Sequence, residues 1–90
     1  MAQFTGMDIV EVRTLVTMMN TKADEIGQIA QQLTQKLNGT PWVGQDRERF
    51  VSDWQSNHQA ALQRVVDSLH EAAKRAEANA SEQEQVSNNG

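Results

Sequence analysis

Ser52, Asp53 and His58 are the residues of this chain closest to a hydrolytic set, and His58 and His70 are its only imidazoles. A serine nucleophile needs a base oriented against it and a site that receives an oxyanion, and a regular helix surface rarely offers either. Zinc needs three or four convergent ligands. The two histidines stand twelve residues apart, share no short ligand motif and have no cysteine to help them, because the chain contains none. No glycine-rich loop follows a strand to cradle phosphate, and no strand pattern is visible at all. The sequence therefore gives no catalytic residue, no metal site and no cofactor site. His58 reads as a packed position on the seam of a second helix, and His70 as a surface residue beside Glu71.

The elements that carry these residues are two long amphipathic stretches. In the first, Ile9, Val16, Ala23, Ala30 and Leu37 recur every seven residues, and Val12, Met19, Ile26 and Leu33 form a second such series offset by three. All nine positions are apolar, which is the a/d pattern of a helix packed along its whole length. Leu15 and Ile29 fall at the flanking g position and widen the stripe, so one helix can serve two neighbours. This places a helix over about residues 8–37. Gly27 weakens it by about 1 kcal/mol unless a close helix approach requires it.

A turn follows over residues 38–44. Gly39 suits a left-handed residue past the last turn, and Thr40-Pro41 offers a side-chain cap and a proline preset for a first helical position. The second helix covers about residues 45–76 and frays to 80. Its stripe alternates Val51, Val65 and Ala72 with Leu62, Leu69 and Ala76, with Phe50, Trp54, Ala61 and Val66 alongside. Residues 81–90 are polar and acidic and read as a flexible tail. The expected architecture is all-α: residues 1–80 form an antiparallel hairpin, each arm roughly 45 Å long at 1.5 Å per residue. Leu15, Ile29, Val66 or their neighbours are left exposed, so that a second hairpin completes a four-helix bundle.

Ninety residues bury little core, which makes a partner or self-association the expected source of stability. The net charge is −4, yet the first arm carries four acids against three bases, the second five against five, and the stretch after Ala76 three acids and no base. Neither arm has the basic surplus that phosphates require, which argues against nucleic acid. The opening Met1-Ala2-Gln3-Phe4-Thr5-Gly6-Met7-Asp8 has no basic region and no unbroken apolar run, so neither a cleavable leader nor a membrane anchor is expected there. Alternating charges such as Arg47, Glu48, Arg49 and Asp53 read as a solvated face.

Trp42-x-Gly44 lies near the middle of the chain, Phe50 follows six residues beyond the glycine and Trp54 four residues later. These positions, the two heptad-patterned arms and the length resemble the WXG family of type VII (ESX) secretion proteins, the early secretory antigenic target-like proteins, over the whole chain. The resemblance implies a four-helix bundle of two hairpins, synthesised and folded in the cytoplasm and exported by a membrane-embedded ATPase motor. It also exposes a departure. Family members that carry the export signal have Tyr-x-x-x-Asp or Tyr-x-x-x-Glu after the second long helix, and this chain has no tyrosine; Ala76 and Ala80 occupy the corresponding slots. The implied role is the signal-less half of a heterodimer, reaching the secretion ATPase through a related WXG partner, with a homodimer as the competing form. A non-exported helical adaptor has the same physical signature. A membrane-active role ranks last, because the polar faces are not basic.

Overall fold

Alanine, not leucine, occupies the line along which the two arms touch. The computed structural model describes residues 6–89, and side chains as far as Val86. Its elements are helix α1 over Ile9–Gly39, helix α2 over Gln45–Asp53, a π-helical turn over Trp54–Gln59, and helix α3 over Ala60–Asn89. The first arm, α1, lies antiparallel against α3. Among the described residues the buried apolar side chains are Ala23, Ala30, Val66, Ala73 and Ala80, and no large side chain is fully buried. Small residues at the contact let the helix axes approach closely. The methyls they bury contribute little, since a buried CH₂ or methyl is worth about 0.8 kcal/mol. The result is a rod of 67 × 18 × 17 Å with a radius of gyration of 20.1 Å. A compact domain of this length has a radius near 12 Å.

Asp8 caps α1 by accepting a hydrogen bond from the Glu11 amide at 3.2 Å, which satisfies one of the free N–H groups of the first turn. At the other end Gly39 remains helical rather than left-handed; the helix stops when Thr40 becomes extended, its amide bonding the Leu37 carbonyl and its hydroxyl donating to the Lys36 carbonyl. Thr40 thus closes the first arm instead of capping the second, and Pro41 lies outside any helix. The cap of α2 is Gly44, at φ 115°, the one glycine with positive φ among the described residues. A side chain at that φ is strained, so the turn requires glycine there.

The π turn explains where the heptad reading of the second arm goes astray. Upstream, Arg47, Val51 and Trp54 are half-buried; downstream, Gln59, Leu62, Val66, Leu69 and Ala73 are half-buried or buried. Stepping back from Val66 and Gln59 in unbroken α-helical spacing brings Gln55, Ser52, Glu48 and Gln45 to the seam, all of them polar. One extra residue in the π turn rotates the helix so that Val51 and Trp54 face the same way as Val66 and Ala73. The series Val51, Val65, Ala72 therefore does not form one seam: Val65, Ala72 and His58 are exposed, and Val66 and Ala73 replace them inside. Val66, expected on the open stripe, is only 9% exposed. Leu33, expected on the α1 seam, is 50% exposed.

The second arm is also longer than its sequence suggests. It stays helical to Asn89, and Ala80 is fully buried against the first arm. Fraying near residue 80 followed by a loose tail is thus not what the structure has; alanine propensity and a cross-arm ion pair carry the helix onward. Residues 1–5 and Gly90, which belong to the opening and tail readings, lie outside the described residues.

Candidate functional site

Each helix buries a strip of its surface, and the two edges of that strip differ in chemistry. On one edge of α1 lie Arg13, Asn20, Gly27 and Thr34, seven residues apart. In an antiparallel pair this edge meets the corresponding edge of the other helix. The Arg13 guanidinium donates to Glu84 at 3.1 and 3.2 Å and to Glu77 at 3.2 Å. Its pKa is raised, chiefly through the Glu84 hydrogen bond. Asn20 Oδ1 lies 2.7 Å from His70 Nδ1, and Asp24 Oδ1 lies 3.3 Å from His70 Nε2. The Trp54 indole N–H donates to Thr34 Oγ1 at 2.8 Å, and that hydroxyl donates in turn to the Ala30 carbonyl at 2.8 Å. The rung at Gly27 is missing, and Gln63 opposite bonds Asp67 of its own helix at 3.0 Å. Gln31, Gln35, Gln59 and Gln63 line a shallow groove there.

None of these pairings was expected from the sequence. His70 is half-buried and tied across the hairpin rather than free on the surface. The signal was present as polar residues at seven-residue spacing beside the apolar stripe, on α1 and again at Gln63, His70, Glu77 and Glu84.

The opposite edge carries no such closure. On α1, Leu15, Ile29 and Leu33 are exposed, while Val12, Met19 and Ile26 are half-covered by α3. Val65 is exposed on α3 and Leu62 and Leu69 are half-buried; Val65 and Leu69 line a shallow, mainly apolar trough with Ala61 and Ala72. Val16 and Leu37 lie on the strip between the edges, half-buried. The expected packing residues thus divide: most are shared between the arms, while Leu15, Ile29, Leu33 and Val65 face out along one flank. These four are large apolar side chains left open to solvent on that flank.

At the end of the rod the family-like positions form an aromatic corner. Trp42 and Phe50 stack at a centroid distance of 5.4 Å and 52° between planes. Phe50 is 50% exposed, Trp42 37% and Val43 92%. Gly44 shapes the turn between them, and Trp54 is drawn inward by Thr34. The structure brings Trp42, Gly44 and Phe50 together and directs Trp54 to the hairpin seam.

His58 Nε2 lies 2.9 Å from Asp53 Oδ2 on an exposed surface, and Asn57 donates to the other carboxylate oxygen. Those contacts, Asn57 first and His58 second, hold the Asp53 carboxyl below its ordinary range. Ser52 makes no hydrogen bond to His58, so the hydroxyl has no base against it. Among the described residues no three metal-binding side chains converge, and no helix is long and apolar enough to cross a membrane.

Set against known proteins, the chain matches no family model, no curated protein and no solved structure. Its likeness to the WXG family rests on Trp42, Gly44, Phe50 and Trp54 and on where they stand.

Proposed function

We propose that this chain is a small helical-hairpin protein of the type VII (ESX) secretion kind, exported as one half of a four-helix bundle with a related WXG hairpin. The observation that carries the reading is the open apolar flank of Leu15, Ile29, Leu33 and Val65 beside a seam built mainly from alanine. A hairpin whose two arms bury only small side chains gains little from its own closure, and covering that flank with a second hairpin supplies the missing core. Export is supported by the resemblance at the corner, where a glycine with positive φ follows a tryptophan between two long arms. The chain lacks a tyrosine, so a partner bearing the tyrosine signal engages the secretion ATPase and this chain travels as substrate or escort.

Size-exclusion chromatography with light scattering tests the pairing. The expected result is a weakly held species for the chain alone and a stable dimer after mixing with the genomic neighbour, if that neighbour encodes a similar short hairpin carrying the tyrosine motif. A sharply folded lone monomer, unaffected by mixing, overturns the paired-bundle reading. A stable homodimer transfers the role from escort to self-pairing. Loss of the protein from culture supernatant when the secretion ATPase is inactivated tests export; retention inside cells in both strains leaves the non-exported adaptor as the function.

A further inference from the structure

The rod is held unevenly along its length. Between the arms, α1 and α3 touch along most of their lengths, whereas α2 touches chiefly the π turn. Neither α2 nor the π turn contains a buried residue. This stretch is bracketed by two irregular points, Gly44 at φ 115° and the π turn Trp54–Gln59. Among the described residues its one polar tie to the first arm is the indole N–H of Trp54, at the start of the π turn, on Thr34 Oγ1 at 2.8 Å. That hydroxyl is fixed by its own bond to the Ala30 carbonyl, on the buried line of the seam.

We propose that α2 and the aromatic corner form a lever that swings on the π turn, with the Trp54–Thr34 hydrogen bond as its latch, while α1 and α3 stay zipped. A segment with few buried contacts opens at a lower free energy than the packed rods beside it, so local opening stops where the alanine seam begins. The π turn is the natural pivot because its wider ring already departs from the α-helical ladder. Opening turns the inner side of α2, with Arg47 and Val51, toward solvent, frees Trp54 at the start of the π turn from Thr34, and moves Phe50 together with the lever. The lever is independent of which partner covers the apolar flank.

Hydrogen exchange on the full chain in its assembled form tests this. Amides of residues 50–60 are expected to exchange at least about tenfold faster than those of residues 66–80, as sub-global opening requires. Trp54→Phe keeps the ring and removes the donor; it is expected to raise exchange in residues 50–60 about fivefold, the effect of one modest hydrogen bond, and to leave residues 66–80 unchanged. Thr34→Val is expected to give the same pattern, with no further increase in the double variant. Deletion of Ser56 removes the extra residue, makes the helix continuous with both faces in phase, and is expected to slow exchange in residues 50–60. Equal exchange along both arms, or a Trp54→Phe effect spread evenly through α3, overturns the lever; so does a Ser56 deletion that speeds exchange in both regions alike.

Discussion

The two edges of the hairpin seam begin from the same heptad pattern and end with opposite chemistry. One edge is closed within the chain by Arg13 with Glu77 and Glu84, Asn20 with His70, and Thr34 with Trp54. The other holds Leu15, Ile29, Leu33 and Val65 open to solvent. Polar groups that satisfy one another fix the register of the arms but add little net stability, especially where solvent reaches them. Apolar groups left uncovered retain the larger driving force for the next association step. Under the proposed pairing, such a division of labour lets directional bonds set the hairpin and leaves the hydrophobic surface for the second hairpin.

Aspartate placed at two sites gives the largest separation between seam and flank. Ala73 is 1% exposed at the centre of the seam, and Ala73→Asp buries an unpaired charge there. The expected cost is about 3 kcal/mol or more, enough to unfold a small hairpin, read as loss of helical circular dichroism. Leu33→Asp lies on the open flank, so the expected outcome is dissociation of the assembled species with helicity retained, read by light scattering. If both variants unfold alike, the flank is part of the fold and not a docking surface; if Leu33→Asp stays dimeric, the partner seats elsewhere.

A smaller effect sharpens the polar edge. Gly27 occupies the missing rung, and a Cβ built there meets nothing within 4 Å. The glycine therefore does not serve a close helix approach, and Gly27→Ala is expected to stabilise the protein by about 0.5–1 kcal/mol through helix propensity. The measurement is the denaturant midpoint at unchanged slope. A loss of stability means that the groove lined by Gln31, Gln35, Gln59 and Gln63 is occupied in the assembled protein.

The first arm was readable from sequence because its apolar period is unbroken from Ile9 to Leu37. Its boundaries over 8–37 agree with Ile9–Gly39 to within two residues. The second arm was readable as a helix but not in phase. A heptad drawn through Val51, Val65 and Ala72 passes across the π turn, and no residue type in Trp54–Gln59 announces an inserted residue. What remains is the mismatch between Val51 with Trp54 on one side and Val66 with Ala73 on the other, visible only once the polar alternative at Gln45, Glu48, Ser52 and Gln55 is counted. The end of α3 was misjudged for a different reason. Alanines near the end of the second arm look like weak core from sequence, yet on an alanine-lined seam Ala80 is fully buried. The corner residues Trp42, Gly44 and Phe50 were found by resemblance, and their mutual stacking is a property of the fold.

The smallest expected effect reports on the π turn directly. In an α-helix, residues five apart point about 140° away from each other, so Asp53 and His58 cannot pair. Here they lie 2.9 Å apart, which only the wider turn allows. With Asn57 they hold the Asp53 carboxyl below its ordinary range, so the folded state prefers the carboxylate more than the unfolded chain does. The contribution is fully present above the ordinary aspartate pKa and is lost as pH falls through the lower folded value. Carbon NMR of the Asp53 carboxyl is expected to show a titration midpoint below that of an unstructured aspartate, and His58→Ala is expected to move it part of the way back, with Asn57→Ala moving it further. Asn57 sits four residues on and can reach Asp53 in an ordinary α-helix too, so the His58 contact is the one that reports the π turn: a midpoint that His58→Ala leaves unmoved means that the helix is continuous through this stretch in solution. The phase of the second arm then has to be set elsewhere, because Val51 and Val66 cannot otherwise face α1 together.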